Sequence, residues 1–290
     1  MCGINCIIFF DQDKKVDKEK IKSMNSILKH RGPDDEGIYI HQNVGLGHVR
    51  LSIIDLEGGK QPFVSDDDNY ILIFNGEIYN YVELKSLLIQ KGYKFKTNSD
   101  TEVLLKMYIE YKEKCLDYLN GMFAFVIYDQ AQDYIFVARD RIGIKPVYYY
   151  QNKEMVAITS EIKALVKNGL VKPEIDKQGL LDYLNFQFTL GDKTLFKDIK
   201  QLEPAKYMVI IPGKKEINIY EYWRVNYEIQ DDRSFDFYCK KVMNLIEDSI
   251  RLELRSDVAV GTHLSGGIDS SIVSMFASTL SPTTINSFTG

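Results

Sequence analysis

Cysteine is scarce in this sequence. Only Cys2, Cys6, Cys115 and Cys239 occur in 290 residues, and no two are spaced C-x-x-C. That argues against a structural zinc site or a disulfide scaffold and fits a reducing cytosol. Long apolar runs are missing too. No stretch approaches the roughly 18 residues that a membrane helix needs, and the start lacks the basic segment and apolar core of a signal peptide. The expected location is cytoplasmic, with no membrane association. Positive charge is not in excess either. The net charge is −5 with Lys and Arg scattered, which speaks against nucleic acid as a partner. No internal repeat or low-complexity segment is visible. What is present, 45% hydrophobic and 27% charged residues, is the composition of a globular chain with a sizeable core, one large domain or two ordinary ones.

Ile4 to Phe10 is almost wholly apolar, the pattern of a strand buried on both faces. Asp17 to Lys29 carries Ile21, Met24, Ile27 and Leu28 at helical spacing with Asp17 as N-cap. A turn-rich loop, Arg31 to Gly37, leads to strands at Ile38–His41 and Val44–Arg50, and Asp66 to Asn69 reads as a solvated hairpin tip. Tyr70 to Phe74 is a buried strand that runs directly into Asn75-Gly76-Glu77. Helices are expected over Val82–Gln90, closed by Gly92, over Thr101–Tyr111 and over Ser160–Lys167. Strands are expected at Met122–Tyr128, Tyr134–Ala138, Tyr148–Tyr150 and Met155–Ile158. Runs of strands interrupted by paired helices indicate α+β layering. After a segment punctuated by Pro204, Pro212 and Gly213, and a polar break at Asp231-Asp232-Arg233-Ser234, an amphipathic helix is expected over Phe237–Leu254. A buried strand over Val258–Leu264 follows, with His263 directed into the sheet or its neighbouring layer. The sequence ends inside what reads as another strand, the pattern of a truncated second domain.

Two stretches carry chemistry. If the initiator Met1 is removed, Cys2 has a thiol and a free α-amine on adjacent carbons, with ordinary pKa values of about 8.5 and 8. One residue then supplies both a nucleophile and its base, although a lone Cys at a strand start is more commonly a buried thiol. The second stretch is Ser265-Gly266-Gly267-Ile268-Asp269-Ser270-Ser271. It follows a strand and opens a helix, so its glycines and first helical amides form an anion site. It lacks the lysine of a Walker A loop, and Asp269 beside phosphates calls for a divalent cation.

With both stretches read, the sequence resembles the glutamine-hydrolysing asparagine synthetases. The strings that carry the likeness begin with Met1-Cys2-Gly3-Ile4, Arg31-Gly32-Pro33-Asp34, Gly47 to Asp55 and Gly59-Lys60-Gln61-Pro62. They continue with Asn75-Gly76-Glu77-Ile78-Tyr79-Asn80, Ser99-Asp100-Thr101-Glu102, Gly121 to Phe125, Ala138-Arg139-Asp140-Arg141, Gly143-Ile144-Lys145-Pro146, Ser160 to Lys163 and the Ser265 loop. The resemblance implies a class II glutamine amidotransferase domain over residues 2–210, a four-layer αββα sandwich of the N-terminal-nucleophile (Ntn) hydrolase type. Connecting strands would fill 211–234. The truncated beginning of an α/β ATP-pyrophosphatase domain would fill 235–290. A tunnel would carry ammonia between the two sites in the family.

The same resemblance implies the residue roles. Cys2 would attack the glutamine side-chain amide, and Asn75 with the Gly76 N–H would form the oxyanion hole. Arg50 would grip the glutamine carboxylate, backbone from Leu51, Ser52, Ile53 and Ile54 would line the same wall, and Asp100 with Glu77 would hold the ammonium. Arg31 would brace the loop over the pocket, and Asp140 with Arg141 would either form an internal pair tying that loop to the sheet or take a functional role. Leu264, Ser265, Gly266, Gly267, Asp269 and Ser270 would receive ATP with Mg2+, whereas glutamine hydrolysis would need no cofactor and no metal site in the protein. The expected function is asparagine formation from aspartate, glutamine and ATP, with small molecules as partners and a homodimer left open as the assembly. Two alternatives stand beside it. One is a related amidotransferase acting on another carboxylate in surface-sugar or natural-product biosynthesis. The other is a non-catalytic glutamine- or nucleotide-binding module.

Overall fold

The computed structural model of the chain describes residues 1–228 and 233–290, so Asp231 and Asp232 of the expected polar break lie outside the described residues. Its contacts define two compact units. The first comprises Met1–Ser52 and Glu57–Arg224, the second Ile53–Leu56 and Val225–Gly290. No helix among the described residues is long and apolar enough to cross a membrane.

Along the first unit run β1 (Gly3–Phe9), α1 (Lys18–Leu28), β2 (Asp35–His41), β3 (Val44–Arg50), β4 (Phe63–Val64), β5 (Tyr70–Ile78), α2 (Tyr81–Gln90) and α3 (Asp100–Tyr111). Then come β6 (Gly121–Asp129), β7 (Tyr134–Arg139), β8 (Tyr148–Gln151), β9 (Met155–Thr159), α4 (Lys163–Lys167), α5 (Lys177–Phe186), β10 (Ile199–Gln201), β11 (Lys206–Ile211) and β12 (Glu216–Glu221). The strands form two six-stranded antiparallel sheets, ordered β10-β8-β9-β1-β3-β2 and β12-β11-β7-β6-β5-β4.

Side-chain alternation along the strands explains the layering. Ile4, Cys6 and Ile8 of β1 and Val44 and Leu46 of β3 meet Ile71, Ile73, Val126 and Val137 of the other sheet in one apolar cluster. The opposite face of the first sheet, through Ile7 and Val49, packs on Ile21, Met24 and Leu28 of α1 and on Ala164 and Leu165 of α4. The outer face of the second sheet, through Leu72, Phe74 and Phe125, packs on Leu84 and Leu88 of α2 and Val103, Leu104 and Met107 of α3. Three apolar interfaces thus separate four layers, the expected αββα sandwich. Gly47 lets α1 come close, since a Cβ there would stand 2.5 Å from Asn25 Oδ1 and 2.6 Å from Ile21.

Local signals hold where the physics is local. Asp17 caps α1 by accepting from Glu19 N at 2.9 Å, and Gly92 takes φ +95° just past α2. Other boundaries move for tertiary reasons. Strand β2 begins at Asp35, inside the expected loop, because its pairing with β3 extends to Asp35 opposite Arg50. The helix expected over Ser160–Lys167 shortens to Lys163–Lys167 because Ser160 continues the sheet, its N–H donating to Ile4 O and its Oγ accepting from Ile4 N, both at 3.0 Å. Helix α5 is additional to the expected elements. It buries Gly179 and Asp182 and leaves Leu181, Leu184 and Phe186 exposed, the reverse of the usual pattern. The segment after 210 holds a strand of the first unit. Strand β12, expected in the connecting segment, pairs with β11 from Lys206 opposite Glu221 to Ile211 opposite Glu216 and belongs to the first unit.

In the second unit, α6 (Phe235–Glu253), β13 (Gly261–His263), α7 (Ile268–Leu280) and β14 (Asn286–Phe288) follow. β13 and β14 pair in parallel across α7, the crossover that parallel pairing requires. The buried strand expected over Val258–Leu264 is shorter and more open. Only Thr262 of β13 is buried, and His263 is exposed rather than turned into a sheet. The stripe on α6 is covered at Ile250 but exposed at Val242 and Leu245, because two helices and a two-stranded sheet cannot enclose it.

Candidate active site

The register of β1 against β3 sets the centre of the site. Gly3 lies opposite Val49, and extending that register by one residue brings Cys2 opposite Arg50. Cys2 shares the parity of Ile4 and Cys6, so its side chain enters the space between the sheets at the open end of the sandwich. The thiol donates to Leu51 O at 3.6 Å, and its sulfur lies 3.4 Å from Leu51 N, which can donate to it. Burial pushes the Cys2 thiol up; the Leu51 amide, the N-terminal amine and Arg50 oppose this, and Asp100 adds to it. The main chain is clamped by Arg31, whose Nε donates to Cys2 O at 2.9 Å and whose guanidinium pairs with Glu161 at 2.8 Å. Burial works against the ionised Glu161, but hydrogen bonds from Arg31, Lys163 and His30 bring its carboxyl down to about 2. Arg31 therefore braces Cys2 itself rather than only a covering loop.

Asn75 and Gly76 stand on β5, in the facing sheet. Asn75 has the parity of Ile71 and Ile73, so its side chain also enters the inter-sheet space. It is 1% exposed, and neither Nδ2 nor Oδ1 has a hydrogen-bond partner. A buried amide left unpaired costs about 1–3 kcal/mol, so its retention points to a ligand that completes it. The ladder fixes the direction of the backbone groups as well. Gln130 N donates to Asn69 O, which assigns the odd residues of β5 to bonds with β6 and turns the even ones to the other edge. Along that edge Phe74 N–H donates to Gln61 Oε1 at 2.6 Å and Ile78 N–H to Asp100 Oδ2 at 3.1 Å. Gly76, between them, turns its N–H the same way. A Cβ on Gly76 would fall 2.1 Å from Met122 O, so no other residue fits.

Asp100 begins α3, whose cap is Ser99. It is 5% exposed, and burial raises its carboxyl to about 6 against the lowering influence of the Ile78 and Thr101 amides, Ser99 and Arg50. Arg50 is likewise 5% exposed. A buried cation and a buried carboxylate beside one thiol match the two charged ends of a free α-amino acid.

Lys145 belongs to one of the quoted motifs without an expected role, since a lysine in a turn is ordinarily solvated. Here it is 4% exposed. Its N–H donates to Asp140 Oδ2 and its C=O accepts from Arg139 Nε, both at 2.9 Å, so its main chain is held from both sides. Burial lowers its ammonium, while Glu77 and Cys2 pull it up and Arg31 lowers it further. A third cation thus lies within electrostatic reach of Cys2. The expected Asp140–Arg141 pair is not what forms. Asp140 instead accepts from the amides of Phe123, Ile142, Ile144 and Lys145, and Arg141 donates to Asp117 O. A carboxylate at a turn satisfies several N–H groups at once, and Arg139 takes the carbonyls.

Of the expected pocket wall, Leu51 and Ser52 lie in the first unit, whereas Ile53 and Ile54 group with the second, where Ile53 O accepts from Asp257 N at 3.0 Å. The second unit also carries the glycine-serine loop. Leu264 N donates to Phe288 O at 2.8 Å, which extends the β13–β14 pairing up to the loop. Gly266 takes φ +82° with nothing within 4 Å of a Cβ position, and Gly267 is the N-cap residue of α7, which has no side-chain cap. Ser265 and Ser270 hydroxyls lie 3.0 Å apart, and Ser271 Oγ donates to Gly267 O at 2.8 Å. Asp269 is exposed on the first turn.

An αββα sandwich with a cysteine at the mouth of an inner strand is the arrangement of the Ntn-type amidotransferase fold. A solved structure of a glutamine phosphoribosylpyrophosphate amidotransferase from B. subtilis shares the fold, with TM-score 0.58 and 18% identity over 100% of this chain and 66% of that one. The glutamine amidotransferase domain family matches residues 1–223, and the chain belongs to it. The asparagine synthase family matches residues 241–290. Among curated relatives, an asparagine synthetase (glutamine-hydrolysing) 1 of Bacillus subtilis is 44% identical over 91% of this chain and 42% of its own length. A protein named Amidase chry2 of Gibberella zeae is 35% identical over 97% of this chain and 43% of its own. The chain spans about half the length of the curated relatives it matches.

Proposed function

We propose that the first unit hydrolyses glutamine at Cys2 and that the ammonia serves an ATP-dependent amidation of aspartate, giving asparagine, AMP and pyrophosphate. The observation that carries the glutaminase reading is the orphaned Asn75 amide, buried on the inter-sheet face to which Cys2 also points. Cys2 sulfur attacks the side-chain amide carbon, and the carbonyl π pair moves onto oxygen, where Asn75 Nδ2 and the Gly76 N–H receive it. The C–N bond then breaks as the proton taken from the thiol reaches the leaving nitrogen. Ammonia departs and leaves a thioester, which water converts to glutamate. Arg50 holds the α-carboxylate, while Asp100, with Glu77, holds the α-ammonium. An amide lacking the free α-amine would leave Asp100 unpaired and be rejected.

The Ser265–Ser271 loop fits ATP phosphates. Its open Gly266, uncapped helix start and clustered hydroxyls supply donors. Asp269 is the loop's carboxylate for the accompanying Mg2+. The relatives named asparagine synthetase support aspartate as the acceptor. The relative named as an amidase favours a second reading, in which the same ammonia reaches another carboxylic acid.

Glutamate release should be measured for the wild type and Cys2→Ala, with intact mass reporting whether Met1 is present. Hydrolysis that is abolished by the substitution and by retention of Met1 is the expected result. Equal rates in wild type and Cys2→Ala would end the glutaminase reading. AMP formation by the full-length protein with aspartate, compared with other carboxylic acids, decides between the acceptors.

A further inference from the structure

Strand β5 must present Asn75 and Gly76 on an edge where its neighbour has run out. β4 is two residues long and pairs only through Phe63 opposite Leu72 and Val64 opposite Ile71. Beyond it, the next outward-facing residue is Phe74, and its two backbone groups are taken by side chains from two separate segments. Its N–H donates to Gln61 Oε1 at 2.6 Å, and its carbonyl accepts from His48 Nε2 at 3.0 Å. A carbonyl can only accept, so His48 carries its proton on Nε2. His48 is fully buried, and its Nδ1 has no partner. It shares the inner face of β3 with Leu46 and, two residues on, Arg50. Gln61, also buried, reaches Thr101 Oγ1 with its other amide atom at 3.5 Å, next to Asp100. Phe74 itself is 2% exposed, so water does not serve these groups.

We propose that His48 and Gln61 stand in for the missing strand and so hold the Phe74–Asn75 peptide at the height and tilt that aim the Asn75 amide and the Gly76 N–H at the developing oxyanion. Both are positioning residues, acting through Phe74 and touching no reacting atom. The proposal rests on the glutaminase reading. It explains why a histidine is spent in the core with one ring nitrogen unpaired. A neutral donor is needed at a point where leucine would pack as well but leave the Phe74 carbonyl unbonded.

The test compares wild type with His48→Phe, which keeps the ring and removes the donor, and His48→Gln, which restores an N–H. Glutamine hydrolysis is read as kcat and KM, and Cys2 reactivity as the rate of alkylation by iodoacetamide. Alkylation is a displacement at a tetrahedral carbon and forms no oxyanion. The expected result for His48→Phe is a kcat lower by about 10- to 100-fold, KM for glutamine within about twofold, alkylation at the wild-type rate, and partial recovery of kcat in His48→Gln. Unchanged kcat, or kcat and alkylation falling together, would overturn the proposal. Should His48→Phe not fold, Gln61→Met carries the same comparison, and failure of both to fold would assign the pair to stability alone. Wild type that releases no glutamate would instead remove the glutaminase reading, a separate outcome of the same assay.

Discussion

Asp100 combines a stability cost with the ammonium-binding role proposed for it, and Asp100→Asn separates them. The carboxyl is raised from 3.8 to about 6, chiefly by burial. At about 1.4 kcal/mol per pH unit, holding it ionised at neutral pH costs about 3 kcal/mol. The native state binds this proton more tightly than the unfolded chain. The stabilising effect of the protonated form is therefore complete below about pH 4 and is lost as pH rises through about 6. The substituted side chain keeps an acceptor for the Ile78 amide and removes the charge. The variant should accordingly gain up to about 3 kcal/mol at pH 7.5, read from urea unfolding, and little at pH 4. Its stability should lose the wild-type dependence on pH between about 4 and 6. Glutamine pairing should move oppositely. Removing one member of a buried charge pair costs about 2–5 kcal/mol, so KM for glutamine should rise at least 30-fold or become unmeasurable. In the wild type, kcat/KM should fall about tenfold per pH unit below pH 6. An Asp100→Asn protein no more stable at pH 7.5, with an ordinary KM for glutamine, would refute both the burial argument and the ammonium assignment.

Asn75→Ala removes two buried polar atoms that have no partner, so thermal stability should be kept while kcat for glutamine falls roughly 100- to 1000-fold; parallel loss of both would contradict it. Gly47→Ala would place a Cβ 2.5 Å from Asn25 Oδ1. Chemical denaturation should show a loss of about 1–3 kcal/mol from overpacking, and a neutral result would mean that α1 can back away from β3. Lys145→Met removes a buried cation facing Cys2, so the thiol should titrate higher, by less than about one pH unit. The pH profile of iodoacetamide alkylation checks this, and a shift downward would place Lys145 elsewhere.

The family resemblance brings the candidate site residues together in the sequence, and strand parity supplies the physical reason why they can meet. Cys2, Arg50 and Asn75 fall on inner faces once Ile4, Leu46 and Ile73 do. The run of strands and helices by itself indicates only α+β layering, whereas the αββα order is implied by the resemblance. What the sequence concealed depends on partners distant along the chain. Lys145 reads as a turn lysine until Asp140 and Arg139 are seen pinning its main chain. His48 reads as part of a motif until the short reach of β4 leaves the Phe74 carbonyl in need of a donor. Helix α5 is signalled by the Asp176 cap and by Leu180, Leu181 and Leu184 at helical spacing. Its buried face, Gly179 and Asp182, is not the apolar one, however, and so cannot be read from that period. β12 reads as a connecting segment because Pro212 and Gly213 look like a linker, whereas they form the tight turn of a hairpin between β11 and β12.

The charges around Cys2 also bear on where its proton goes. Burial pushes the thiol up and the N-terminal amine down, so the neutral thiol and neutral amine gain together at the expense of the separated ions. The cations divide that effect. Arg50 pulls the thiol down, and Arg31 and Lys145 pull the amine down further. A nearby positive charge thus favours thiolate but makes ammonium a poor resting state. These influences act on the Met1 amine; with Met1 removed, the amine sits one residue closer to the Arg31 that already donates to Cys2 O. A base that holds its proton weakly releases it readily to the departing amide nitrogen, which must gain a proton to leave as ammonia. If the same influences act on the Cys2 amine once Met1 is removed, the proposed glutaminase would pass its proton through that amine to the departing nitrogen rather than hold it there.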